Sequence, residues 1–182
     1  MEEEGYAGNT VCLGYDRRFL SKEAMFRAAE VLAGYGFRPF VINRSAPTPL
    51  IMFTVKQMSL PYGLAITASH NPAIYNGIKI FTAGGRDAEK RVTGEIEEVI
   101  KGMCPEDVKS IPYADALAAG IIREGYPFNE YIDSILRLLR SLPSELAHPV
   151  TASKNLQFFI ATTGPICYYG GTNSSQNLNL AR

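Results

Sequence analysis

The chain has 182 residues, 46% of them hydrophobic and 20% charged, with 18 Lys and Arg against 18 Asp and Glu. A formal net charge of zero argues against a globally basic, nucleic-acid-binding surface, and no apolar run reaches the roughly 18 residues of a membrane-spanning helix. The acidic start Met1-Glu2-Glu3-Glu4-Gly5 lacks the basic-then-apolar pattern of a secretory signal, so the expected compartment is the cytoplasm.

Thr10 to Tyr15 reads as a strand, apolar and β-branched. Ser21 is a candidate N-cap for a helix to about Gly36, with Met25, Ala28, Ala29, Leu32 and Ala33 at helical spacing. Phe37 to Ile42 is the next strand, after which Thr48 caps and Pro49 starts a helix to about Met58. Leu64 to Ala68 is a buried strand, Ile78 to Phe81 a short one, and Ala83-Gly84-Gly85 a turn. Asp87 then caps a helix with an inner face of Val92, Ile96, Val99 and Ile100. From Pro127 to Leu142 a further helix carries the stripe Ile132, Ile135, Leu136 and Leu139. Strands alternating with helices predict an α/β protein, a mixed or parallel sheet sandwiched by helices.

Chemistry concentrates after the third strand, in Thr67-Ala68-Ser69-His70-Asn71-Pro72 followed by Tyr75-Asn76-Gly77-Ile78-Lys79. A hydroxyl, an imidazole, an amide and an amine fall at a strand end, where α/β proteins collect ligands. Proline fixes its own φ and pushes Asn71 out of the helical region, which predicts a stiff loop. Two further stretches accompany it: Gly14-Tyr15-Asp16-Arg17-Arg18 with Ser21, and Pro47-Thr48-Pro49-Leu50-Ile51-Met52-Phe53.

The T-A-S-H-N-P string with N-G-x-K resembles the active-site serine loop of the α-D-phosphohexomutases, the phosphoglucomutase and phosphomannomutase family. The other two stretches resemble its G-x-D-x-R-x-x-S and P-T-P-x-x-x-F segments, in matching order over roughly residues 9 to 140. The resemblance implies intramolecular phosphoryl transfer between C1 and C6 of a hexose phosphate, glucose 1-phosphate or mannose 1-phosphate, through a phosphoserine at Ser69. Such transfer is mostly positioning and electrostatics, so cations must stand near a group carrying about −1.5 to −2 charges. The catalytic candidates are Ser69, His70 and Lys79. His70 could move the hydroxyl proton or orient the loop, and adjacent residues of an extended loop point apart, which counts against a direct base role. Asp16, Arg18, Thr67, Asn71, Asn76 and Gly77 are candidates for binding phosphate or supporting the loop. Thr48 is most simply a helix cap.

In the resembled family Mg²⁺ is held by the phosphoserine and by aspartates of a D-G-D-x-D-R loop, and that loop is not found in this sequence. Ser69, through its phosphate, is the one metal ligand expected of this chain. Residues 1–126 are therefore expected to be the first phosphohexomutase domain with its first strand missing, residues 127–142 a connecting helix, and residues 143–182 an anomalous tail, frameshifted or disordered. The isolated chain is expected to be inactive, or alternatively to be a non-catalytic sugar-phosphate-binding module or pseudoenzyme. A serine hydrolase would need a G-x-S-x-G elbow, and none is present. Cys12, Cys104 and Cys167 form no zinc pattern and read as buried or idle thiols.

Overall fold

All six residues of β1 (Thr10–Tyr15) are buried, the signature of a strand covered on both faces. In the computed structural model, which describes residues 8–141, β1 lies inside a six-stranded sheet. Its companions are β2 (Arg38–Ile42), β3 (Tyr62–Ile66), β4 (Ile78–Thr82), β5 (Arg86–Asp87) and β6 (Arg123–Gly125), in the order β5-β4-β3-β1-β2-β6. β1 runs parallel to β2 and β3, and β6 parallel to β2. β4 and β5 are antiparallel additions. This is the mixed sheet expected from the alternating pattern.

Helices cover both faces. Helix α1 (Ser21–Gly34) lays Met25, Ala29 and Ala33 over Val11, Leu13, Tyr15 and Val41. The short helix α4 (Tyr113–Ala118) joins that layer through Ala116. On the opposite face, α2 (Thr48–Gln57) packs Leu50, Ile51 and Val55 onto Cys12, Ile42, Ala65 and Phe81. Helix α5 (Phe128–Ser141) closes this side with Tyr131. A turn at Gly85, with φ of 70°, brings the β4–β5 hairpin against α2 so closely that a Cβ there would collide with the Met52 carbonyl.

Three local expectations are corrected. Ser21 does not cap α1: Leu20 occupies the cap with φ of 61°, and the Ser21 hydroxyl instead donates to Asp16 Oδ1 at 2.9 Å. Ser21 is already the first residue of the helix, and its hydroxyl proton goes to a carboxylate, a charge-assisted bond. Thr48 does not cap α2 either; the extended Pro47 holds that place and Pro49 fits the first turn, where a missing N–H costs nothing. Asp87 lies in β5, and α3 (Lys90–Lys101) starts after Glu89. None of the residues of α3 is fully buried, and on its apolar face Val99 and Ile100 stay 65% and 60% exposed.

The 3-10 turn Pro105–Asp107, α4 and β6 have no counterpart in the sequence reading. β6 is three residues, Arg-Glu-Gly, too short and polar for an alternation signal. The expectations for residues 143–182, and for a strand before Thr10, fall outside the described residues.

Candidate active site

The parallel strands β1, β2, β3 and β6 end along one edge of the sheet, and their following loops lie side by side there. Backbone bonds tie these ends together: Asp16 N–H to the Ile66 carbonyl at 3.1 Å, Ala46 N–H to Tyr15 at 2.8 Å, and Asn43 N–H to Gly125 at 3.2 Å. The serine loop leaves β3 at Thr67 and returns into β4 at Gly77, pinned across its base by Thr67 N–H to the Gly77 carbonyl at 2.9 Å.

Inside the loop, Ser69 has φ of 56°, a left-handed conformation that costs a non-glycine residue roughly 1–2 kcal/mol. Three interactions hold it there. The Ser69 N–H donates to Thr67 Oγ1 at 3.0 Å. The Asn71 N–H donates to the Ala68 carbonyl at 3.0 Å, closing a turn. Arg18 Nη2 donates to the Ser69 carbonyl at 2.6 Å.

Arg18 is the centre of the arrangement. Its Nη2 also reaches the Asn71 carbonyl at 2.7 Å, and its Nη1 bonds the carbonyls of Pro72 and Tyr75 at 2.9 and 3.1 Å. Its Nε donates to Asp16 Oδ2 at 3.2 Å. A guanidinium has five N–H donors. All are used here, the side chain is only 9% exposed, and no donor is left for a phosphate. Arg18 therefore shapes the loop through its backbone rather than reaching into it as an anion fork.

The network continues behind it. Asp16 Oδ1 accepts from the Arg18 N–H and from Ser21 Oγ, both at 2.9 Å. Ser21 Oγ in turn accepts from Asn76 Nδ2 at 2.9 Å, and Asn76 also donates to the Phe19 carbonyl at 3.2 Å. Asn76 Oδ1 accepts from the Gly77 N–H at 3.0 Å. At Gly77 an added Cβ would sit 3.3 Å from the Thr67 carbonyl, tight enough to disturb the base of the loop. Thus Thr67, Asn71, Asn76 and Gly77 belong to the serine loop, Arg18 bonds it directly, and Asp16 reaches it through Arg18 and Ser21. Ser21, noted only as a motif position and a cap, is a linking member; the signal that marks it is its spacing five residues after Asp16.

His70 is exposed beside the serine, its Nδ1 3.3 Å from Ser69 Oγ. The loop is not extended at Ser69, and the left-handed turn brings the two neighbouring side chains together where a straight segment would splay them. Lys79 sits on β4 opposite Ala65, its Nζ 3.0 Å from Asp87 Oδ1 and 5.8 Å from the Phe81 ring centroid. Among the described residues no group of three His, Cys, Asp or Glu could hold a metal ion. A divalent cation does not fit the described side chains as a resident group, since Ser69 would supply one ligand at most.

Comparison with known proteins agrees with the architecture. Residues 1–104 match the model of the phosphoglucomutase/phosphomannomutase alpha/beta/alpha domain I. A Staphylococcus saprophyticus phosphoglucomutase is 31% identical over 134 residues, covering 73% of this chain and 24% of that protein. A Pyrococcus abyssi protein assigned as a phosphoglucosamine mutase is 32% identical over 133 residues, covering 73% and 28%. A solved structure from Thermus thermophilus, assigned as a phosphomannomutase, superposes with a TM-score of 0.62 at 27% identity, covering 72% of this chain and 28% of that one. Fold and loop together are those of the first domain of an α-D-phosphohexomutase. The chain belongs to the phosphoglucomutase/phosphomannomutase family and spans about a quarter of the length of the relatives just described.

Proposed function

We propose that this chain is the phosphoryl-carrier domain of a hexose-phosphate mutase, with Ser69 as the residue that takes and returns the phosphoryl group between C1 and C6 of glucose 1-phosphate or mannose 1-phosphate. One observation carries the reading: an exposed serine is held in a left-handed turn by a partly buried arginine whose every donor is committed to the loop or to Asp16. Preorganisation of that kind suits a nucleophile that must meet phosphorus in line.

In the charging step, Ser69 Oγ forms the new O–P bond to one phosphorus of a hexose 1,6-bisphosphate as that phosphorus's bond to the sugar oxygen breaks, and a hexose monophosphate leaves; the reverse transfer to a hexose 1-phosphate regenerates the bisphosphate. The hydroxyl proton passes to His70 Nδ1, which accepts it in the tautomer that leaves this nitrogen free. The departing sugar oxygen takes a proton from solvent water. Lys79 can offer its ammonium to the transferring group by exchanging Asp87 for it, a small electrostatic change since both are substantially exposed. Mg²⁺, as in the resembled family, would reach the phosphoserine oxygens with its remaining ligands from outside residues 8–141. Turnover is therefore expected to need groups beyond the described residues, and the described chain by itself to be inactive as a mutase.

Incubation with glucose 1,6-bisphosphate and Mg²⁺, followed by phosphopeptide mapping, tests the reading. Phosphate on Ser69, absent from Ser69→Ala, supports it; no phosphate, or phosphate on another residue, overturns it. The absence of a cation cage among the described residues favours a second reading, a sugar-phosphate-binding module without transfer. Saturable sugar-phosphate binding with no phosphoserine would identify that case.

A further inference from the structure

Two seams join the loop after β1 to the serine loop. One is the Arg18 guanidinium, spread over the carbonyls of Ser69, Asn71, Pro72 and Tyr75. The other is the Asn76 amide, which donates to the Phe19 carbonyl at 3.2 Å and to Ser21 Oγ at 2.9 Å. The seams meet at Ser21, whose hydroxyl accepts from Asn76 and donates to Asp16 Oδ1, the carboxylate that aims Arg18.

The place of Ser21 in the fold gives that junction its purpose. Among the described residues the Asp16 carboxylate accepts three bonds, and two of them come from Arg18, only two residues away. The third, from Ser21, ties the pair to the first residue of α1, a helix packed on the sheet through Met25, Ala29 and Ala33. Ser21 is fully buried, so its hydroxyl meets no ligand. The residue before it, Leu20, holds φ of 61°, a strained conformation that persists where the surroundings over-determine it.

We propose that Ser21 is a positioning residue for phosphoryl transfer at Ser69, fastening both seams to the start of α1 and so keeping the serine loop in its left-handed, transfer-ready shape. This inference rests on the phosphoryl-carrier reading and adds to it the group that sets how often the nucleophile is in place. Without the hydroxyl, Asp16 loses its link to the helix and Asn76 loses one of its two acceptors, leaving Arg18 aimed from within its own loop. The left-handed φ of Ser69 is intrinsically disfavoured, so a looser hold lowers the share of molecules in which the serine is placed for attack. A smaller competent share lowers the maximal rate of transfer, whereas Ser21 has no contact through which to change the ligand's own bonds.

The test follows charging of Ser69 by intact mass in the full chain, over a range of glucose 1,6-bisphosphate concentrations with Mg²⁺. Native protein is compared with Ser21→Ala, Ser21→Thr, Asn76→Ala and Thr54→Ala. Thr54→Ala is the structural control: it removes a buried hydroxyl that donates to the Leu50 carbonyl on α2, against the opposite face of the sheet. Ser21→Thr keeps the hydroxyl while crowding a fully buried site, so it separates the hydrogen bonds from packing. The expected maximal rate falls about tenfold in Ser21→Ala and Asn76→Ala, with the half-saturating concentration within about threefold of native. Ser21→Thr restores the rate, and Thr54→Ala keeps it, although both melt at lower temperature than the native chain. Amide exchange at Ser69 is expected to quicken in Ser21→Ala and Asn76→Ala alone.

Rates that follow melting temperature across the set, a native rate in Ser21→Ala, or a change confined to the half-saturating concentration overturns the proposal. If Ser21→Ala does not fold, Asn76→Ala decides the matter, because Asn76 is exposed and its loss leaves the core intact. Phosphate on Ser69 at the native rate in both variants ends the positioning role and leaves the carrier reading standing. No phosphate on the native chain ends the carrier reading; quickened exchange in Ser21→Ala would then mark a purely structural tie, which overturns the inference as stated.

Discussion

Arg18 Nη2 stands 2.6 Å from the carbonyl oxygen of Ser69, 51 residues further along the chain. That bond and its four companions decide the shape of the loop more than any interaction made by the serine side chain. A guanidinium with all five donors satisfied holds the loop as a unit, and removing it leaves four exposed loop carbonyls to be met by water instead of by one rigid fork.

Arg18→Lys should therefore behave as a severe substitution. An ammonium has three donors and cannot span four carbonyls and a carboxylate. The expected cost is about 1–2 kcal/mol in urea unfolding, with faster amide exchange at Ser69 and Asn71. Native-like exchange in that variant would show that the loop holds its shape without the fork.

Ser69→Gly should separate conformation from chemistry. Glycine adopts φ of 56° freely, so the folded protein is expected to lose no stability and to gain up to about 1 kcal/mol, while phosphate transfer to residue 69 disappears. Thermal melting reads the first effect and intact mass the second. Clear destabilisation would mean that the serine hydroxyl contributes more to the loop than the left-handed turn costs.

Gly85→Ala should be among the most damaging single-methyl changes in the chain. Its φ of 70° and the Met52 carbonyl both exclude a Cβ. A loss of about 3 kcal/mol or more is expected in chemical denaturation, from displacement of the β4–β5 hairpin against α2. A variant as stable as the native protein would show that the hairpin moves aside cheaply.

Alkali should unfold the protein through its tyrosines. Burial, then the bond from the Tyr113 hydroxyl to Glu124 Oε1 at 2.6 Å, push Tyr113 up; burial does the same to Tyr15 and Tyr131. The neutral phenols are favoured in the fold, so their contribution is complete below the ordinary tyrosine value of about 10 and is lost as pH rises beyond it. Glu30 acts at the other end: its hydrogen bond with Arg27 and the Tyr113 amide lower it, giving stability present above the ordinary carboxylate range and lost on acidification. Tyr113→Phe should cost about 1 kcal/mol at neutral pH and flatten the decline above pH 10, as followed by circular dichroism. An unchanged alkaline limb would place the sensitivity elsewhere.

The elements and the loop were legible from sequence because their signals are local. The buried run of β1, the spacing of Met25, Ala29 and Ala33, and the Asn71-Pro72 step each act through neighbours within a few residues. Ser69, His70 and Lys79 were singled out by motif for the same reason. What the tertiary structure alone decided is non-local. It carried Arg18 across 51 residues to Ser69, turned Ser21 from a helix cap into a link between Asp16 and Asn76, and set β6 beside β2 despite a polar sequence. It also left the apolar face of α3 largely uncovered. Periodicity tells which face of an element is apolar; only the packed sheet decides what lies opposite that face, and which distant donors its loops will meet.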